Sequence, residues 1–277
     1  MGMQINTNIS ALNAYRNLNN TQSDLSKSLE KLSSGLRINR AADDAAGLAI
    51  SEGLKSQVGG LTVAARNAQD GISVVQTAEG QLTEVHSILQ RVRDLAVQAG
   101  NDSNNADSRT AIQTEVTQLT SELTRISGSA NFNGIKLLDG SNASLTFQVG
   151  AGSVAANDQI SVDLSGANVA TVATAVGALQ FDSSANALTS IAALDTQIKN
   201  VSTARANLGA VQNRFESTIR SLNVSQENLS AAESRITDTD MASEMVKYTR
   251  SNILSQAGTA MLAQANQSGQ GVLQLLR

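Results

Sequence analysis

Apolar residues near the N-terminus recur as Ile9, Leu12, Tyr15 and Leu18, then as Leu25, Leu29, Leu32 and Leu36. Leu18, Leu25 and Leu32 are seven apart, and Leu29 and Leu36 continue the second position, with Asn, Gln, Ser and Lys between. This is the seam of a heptad helix. The stretch "SSGLRINRAADDAAG", with Gly35 and Gly47, interrupts it as a turn or loop. A longer stripe follows through Leu61, Ala65, Ala68, Ile72, Val75, Leu82, Val85, Leu89, Val92 and Ala96. A helix over 61–99 would be about 58 Å long at a rise of 1.5 Å per residue, a length typical of coiled-coil rods. "AGNDSNNADS" ends it, and a further helix carries Ile112, Val116, Leu119, Leu123 and Ile126 on one face.

The period changes at "SANFNGIKLLDG", where Asn-Gly and Asp-Gly signal turns. "SLTFQVG" and "DQISVDL" alternate with period two, so 131–165 is expected to form short strands in hairpins. Residues 166–188 are small, weakly patterned and low in charge, and are expected to form a loop-rich, variable excursion. Helical spacing returns with Ile191, Leu194, Ile198, Val201, Leu208, Val211, Phe215, Ile219, Leu222 and Leu229. "ITDTDMASE" interrupts that helix, with Asp238 or Thr239 expected to cap the next. The last segment carries Met241, Met245, Ile253, Ala257, Met261 and Leu262, weakened by Gly258, Gly269 and Gly271. It ends in the apolar tip Val272, Leu273, Leu275 and Leu276. The expected fold is mainly α: nested antiparallel long helices in a coiled-coil-like rod, with a small β-hairpin region in the middle of the chain. The pair of terminal helices buries too little to stand alone and should fold against neighbouring copies.

Composition sharpens this reading. Of 277 residues, 41% are hydrophobic but only 2% aromatic, so Ala, Leu, Val and Ile must build the core. Proline is absent, where an average usage of about 5% would give roughly 14, and this suits long uninterrupted helices. A net charge of −4 and the lack of any Lys/Arg-rich run give no electrostatic reason to expect nucleic acid or an anionic membrane. No run of 18 apolar residues suggests a membrane span, and "MGMQINTNISALNAYRNLNN" lacks the charged and apolar regions of a general secretory signal. The expected location is the cytosol, or outside the cell by a route that reads something else.

Candidate chemistry is sparse. With a lone His86 and no cysteine, no metal site built from those ligands is expected, nor any cofactor. Neither a phosphate-binding glycine loop nor a nucleophile elbow is present. Asp43 and Asp44 are adjacent, so they suit a helix start rather than an acid/base pair. In "LQRVRDLAVQAGN", Arg91 and Asp94 are spaced for a local ion pair. No catalytic residue is expected.

Eight stretches together resemble bacterial flagellin. They are "INTNISALNAYRNLN", "LEKLSSGLRINRAADDAAGLAIS", "GLTVAARNAQDGISVVQTAEG", "LQRVRDLAVQAGN", "FNGIKLLDG", "LGAVQNRFESTI", "ESRITDTDMASEM" and "ILSQAGTAMLAQANQSGQGVLQLL". The resemblance implies an inner coiled-coil domain from 1–45 and 234–277, and a rod domain over 46–233. It looks like a short form without large outer domains. It implies a self-assembling filament subunit for motility, exported unfolded by the flagellar type III apparatus and located outside the cell. The alternative reading is a minor hook–filament junction or cap protein. An enzymatic central region, as in zinc-protease flagellins, is not expected without an "HExxH" motif.

The partners it implies are other copies of the chain, an export chaperone at the C-terminal helices, hook-associated and cap proteins, and host flagellin receptors. The motif read by the flagellin-specific Toll-like receptor falls at Gln90, Arg91, Leu95 and Glu115, with Asp94 where glutamate is common. The leucines read by the cytosolic flagellin sensor fall at Val272, Leu273, Leu275 and Leu276, preceded by "QSGQG" where the family often has a proline. Leu18, Leu25, Leu29 and Leu32 mark the N-terminal assembly helix.

Overall fold

The computed structural model describes residues 8–275, with side chains through 267. Seven α-helices, one 3-10 turn at Ser165–Ala167 and four short strands make up the described chain: α1 Ile9–Ser34, α2 Ala45–Ala99, α3 Ala106–Ser129, β1 Asn131–Phe132, β2 Ile135–Lys136, β3 Ser144–Gln148, α4 Ala155–Asp158, β4 Gln159–Asp163, α5 Val169–Gly177, α6 Ser184–Thr237 and α7 Met241–Leu275. The fold is mainly α, with long nested N- and C-terminal helices and small hairpins between them. Two compact units divide the chain, one of residues 1–56 and 228–277 and the other of 57–227.

The first unit is built on the pairing of α1 with α7. Asn8 caps α1 by accepting a hydrogen bond from the Ala11 amide, and Gly35 ends it at φ 73° with its N–H on the Lys31 carbonyl. Contacts step down the pair in antiparallel order. The Asn8 amide donates to the Ala265 carbonyl at 2.8 Å, Leu18 fills the space over Gly258, and the Ser28 hydroxyl donates to Glu244 at 2.7 Å. Leu36 forms a backbone bridge with Asp238. The covered edge of α1 is Ala11, Ala14, Leu18, Thr21, Leu25, Ser28 and Leu32, a strict alternation of three and four.

This corrects the expected seam. Thr21 and Ser28 hold its second position, whereas Leu29 is 48% exposed. Leu12 and Tyr15 are exposed with it. On α7 the covered edge is Glu244, Tyr248, Ser251, Ser255, Gly258, Leu262 and Ala265. Small residues there let the α1 leucines approach the backbone closely, and a Cβ on Gly258 would stand 3.2 Å from Leu18 Cδ1. The cap of α7 is Asp240, not Asp238 or Thr239, and it accepts from the Ala242 and Ser243 amides. Asp238 instead accepts from the Ser234 hydroxyl at the end of α6.

Glu244 is the buried charge among the described residues of this unit, 5% exposed, and also pairs with Lys247 at 3.0 Å. Burial pushes its carboxyl upward, but hydrogen bonds from Ser28 and Lys247 and the charges of Lys247 and Lys31 outweigh that and hold it below the ordinary glutamate range.

The second unit carries the main core. Ala68, Val75, Leu82, Leu89 and Ala96 are buried at intervals of seven on α2, as are Ala78, Val85, Val92 and Ala99 on its neighbouring edge. Ala187, Leu194, Val201, Leu208, Phe215 and Leu222 continue the same period on α6. Successive rungs set α2 and α6 antiparallel: Gly71 against Phe215, Glu79 with Arg205, Arg93 with Asp195, and the Gly100 carbonyl accepting from Ser184. Phe215 lies fully buried, edge-on to Phe147 of β3 at 5.6 Å between centroids. A Cβ at Gly71 would come within 2.7 Å of the Phe215 ring, so this glycine makes room for the largest side chain on α6.

Helix α2 begins at Ala45, earlier than the apolar stripe suggests, because Asp44 caps it through the Gly47 amide. Asp43 accepts from the Asn39 and Arg40 amides and so orders the preceding turn. Ile112, Val116, Leu123 and Ile126 of α3 are buried as expected. The Asn133–Gly134 turn, with φ of 49° and 81°, closes β1 on β2, and β3 pairs antiparallel with β4 from Ser144–Asp163 to Gln148–Gln159.

The expected loop over 166–188 is corrected. Asn168 caps α5, which buries Val169, Val172, Ala173 and Val176 and packs on α3; Phe181 is buried after it, and α6 already begins at Ser184. Four apolar residues in one short helix supply a burial face that their small size disguises.

Phe215→Ala should lower the unfolding free energy by about 3–5 kcal/mol, the usual loss for a buried aromatic. Val97→Ala, at a position 52% exposed, should stay within about 0.5 kcal/mol; urea midpoints compare them. Glu244, with its carboxyl held low, stabilises its unit above the ordinary glutamate value near about pH 4.3, and that stability is lost as pH falls through and below it. Glu244→Gln should remove this part of the acid sensitivity, measured as the difference in helical circular dichroism between the two proteins from neutral to acid pH.

Candidate functional site

Large apolar side chains are left exposed along the first unit's helix pair. On α7, Met241 is 47% exposed, Met245 50%, Val246 59%, Ile253 61%, Leu254 52% and Met261 65%. Most of these residues face away from α1. The reason is the α7 seam just described, which gives α1 the small and polar edge. Of the expected apolar residues, Leu262 is partly covered, and Ala257 is exposed. Met245, Val246, Ile253 and Leu254, with Thr249 and Arg250, line one apolar depression. Ile9, Leu12, Tyr15 and Leu29 supply exposed apolar surface on α1. Burying such side chains is worth roughly 1.5–3 kcal/mol each. An exposed apolar depression of this kind is a candidate surface for association with another protein.

Of the expected N-terminal assembly residues, Leu18, Leu25 and Leu32 lie on the α1–α7 seam and Leu29 points outward. Leu276 lies outside the described residues, and Val272, Leu273 and Leu275 lie beyond those whose side chains are described.

The second sequence-derived set lies on α2 and α3. Arg91 pairs not with Asp94 on its own helix but with Glu115 across the helix pair, at 2.7 Å. Both groups keep substantial solvent exposure, 57% and 42% of the side chain, so the pair adds little stability. Gln90 is exposed one residue earlier, its amide nitrogen 3.0 Å from Nε2 of His86. Leu95 is only 2% exposed and belongs to the core beneath. Arg93, absent from that set, forms a cross-helix pair with Asp195 at 2.6 Å, and the nearby Asp195 carboxylate, by hydrogen bond and charge, holds its guanidinium more firmly protonated. A charged residue whose partner is a hundred positions away gives no local signal in the sequence.

Among the described residues, no group of three His, Cys, Asp or Glu side chains is arranged to hold a metal, and no helix is long and apolar enough to cross a membrane.

Two family models match most of the chain, the bacterial flagellin N-terminal helical region over residues 5–143 and the bacterial flagellin C-terminal helical region over 191–276. The chain is 53% identical to a flagellin of Halalkalibacterium halodurans, over 99% of this chain and 100% of that protein. It is 50% identical to a flagellin of Bacillus subtilis, with the same coverage of both. A crystal structure of Bacillus cereus flagellin is 33% identical and matches 57% of this chain and 88% of its own, with a TM-score of 0.49. With both terminal helical regions matched in order and relatives aligned end to end, this chain belongs to the bacterial flagellin family.

Proposed function

We infer that the chain builds the extracellular filament of the bacterial flagellum by self-assembly, and that the exposed apolar faces of α1 and α7 are buried between copies. It is a structural protein of motility and not an enzyme. The observation that carries the choice of surface is the outward row Met245, Val246, Ile253 and Leu254 on a helix that already has one partner. A helix that spends its small residues on its first neighbour and leaves its large apolar ones outside is built for further neighbours.

Finer assignments rest on the family. Residues 1–45 with 234–277 form the inner domain and 46–233 the rod, with its variable part near 166–188. The subunit leaves the cell unfolded through the type III apparatus, with a chaperone covering the C-terminal helices until then. Hook-associated and cap proteins border the polymer. Gln90, Arg91 and Glu115 present a polar patch to the Toll-like receptor, with Leu95 supporting it from the core, and Val272, Leu273, Leu275 and Leu276 form the tip read by the cytosolic sensor.

Ile253→Asp should raise the critical concentration for polymerisation at least about tenfold, since burial of one such side chain is worth roughly 1.5–3 kcal/mol. Sedimentation and electron microscopy after salt-induced assembly read the result, and filaments forming at the unmodified concentration would overturn the assigned face. Short end-bound complexes without long filaments would favour a junction or cap role. Arg91→Ala with Glu115→Ala should sharply lower Toll-like receptor reporter activation by monomer while leaving helix content unchanged. An unchanged reporter response would remove these residues from the receptor surface.

A further inference from the structure

The chain contains five methionines, no cysteine and no tryptophan. Thioether sulfur is therefore its one class of side chain readily oxidised by peroxide. Apart from Met1 and Met3, the methionines are Met241, Met245 and Met261, and all three are about half exposed or more on α7. None lies in the core of the second unit, which is built from Ala, Val, Leu, Ile and Phe. Met245 lies beside Val246, Ile253 and Leu254 in the apolar depression.

We propose that Met241, Met245 and Met261 form an oxidation site that switches off assembly of the free subunit and becomes protected once the subunit is in a polymer. The proposal rests on the reading of α7 as a buried filament surface. Hydrogen peroxide transfers one oxygen to the methionine sulfur: the O–O bond breaks, an S=O bond forms, and the departing oxygen leaves as water. Sulfur is oxidised by two electrons and the peroxide is reduced by two. The product replaces a flexible apolar side chain with a strongly polar one. In the free subunit that group stays in water, outside the core of the second unit. In a dry contact between copies, its oxygen has no assured donor, and burial becomes unfavourable.

The test uses full-length protein treated with hydrogen peroxide as free subunit or as preformed filament, with oxidation at each methionine read by peptide mass spectrometry. In the free subunit the three α7 methionines should oxidise readily, and in filaments at least about tenfold more slowly. The oxidised subunit should keep its helix content, while its critical concentration rises at least about tenfold, equivalent to about 1.4 kcal/mol per subunit. The combined variant Met241→Leu, Met245→Leu and Met261→Leu, which keeps Met1 and Met3, should assemble equally well before and after treatment. Methionine sulfoxide reductases acting on the oxidised natural chain should restore assembly without any substitution. Unimpaired assembly of the oxidised chain, equal oxidation rates in the two states, failure of reduction to restore assembly, or a peroxide-sensitive leucine variant would each overturn the proposal. Failure of untreated natural chain to polymerise at all would instead sink the filament reading, and this proposal with it.

Discussion

Close packing of α1 leucines against the small-residue edge of α7 decides what the first unit can do. Leu18 sits where a side chain at Gly258 would be, and Ser28 meets Glu244 where two apolar residues would otherwise interlock. The pair is thereby held by approach and hydrogen bonding more than by bulk. Large apolar residues of α7 are left for other surfaces, because a helix has only one face to give to each neighbour. The outward Met, Val, Ile and Leu side chains are a consequence of how the seam is composed.

The second unit solves the opposite problem. Its sevenfold repeats on α2 and α6 meet across a continuous core, closed by α3, α5 and the hairpins, and the Phe181 and Phe215 rings are fully enclosed. Gly71 is present because Phe215 needs the space, and Phe147 brings β3 onto the same ring. Ion pairs such as Arg93–Asp195 and Arg205–Glu79 sit on the exposed margins, where they fix register more than they add stability. A continuous buried core in one unit and a row of exposed apolar side chains on α7 in the other set the two apart.

The long helices were legible, since a seven-residue apolar period survives whatever the helix packs against, but the start of α2 at Ala45 was not. The strands were legible for the same reason, from alternation flanked by Asn-Gly. What escaped were choices among faces. Leu29 fits the heptad as well as Thr21 and Ser28 do by spacing alone, and only the identity of the facing helix settles which edge is covered. Helix α5 escaped because Ala and Val in a low-charge stretch look like loop until a partner, α3, buries them. Arg91 had a candidate partner three residues away and took one twenty-four residues away instead, since the fold brought Glu115 into reach. The outward face of α7 was visible as composition but not as direction.

The absence of proline and cysteine gains meaning beside this division. The fold has two helices of more than fifty residues, and each proline in them would break a backbone hydrogen bond and add a slow isomerisation. A free thiol on a surface destined for close contact would invite cross-linking before assembly. Methionine offers a similar apolar volume without that hazard, and its flexible side chain adapts to imperfectly matched neighbours. Its remaining vulnerability is oxidation, and the proposed covering of Met241, Met245 and Met261 by assembly would confine that vulnerability to the interval when the subunit is free.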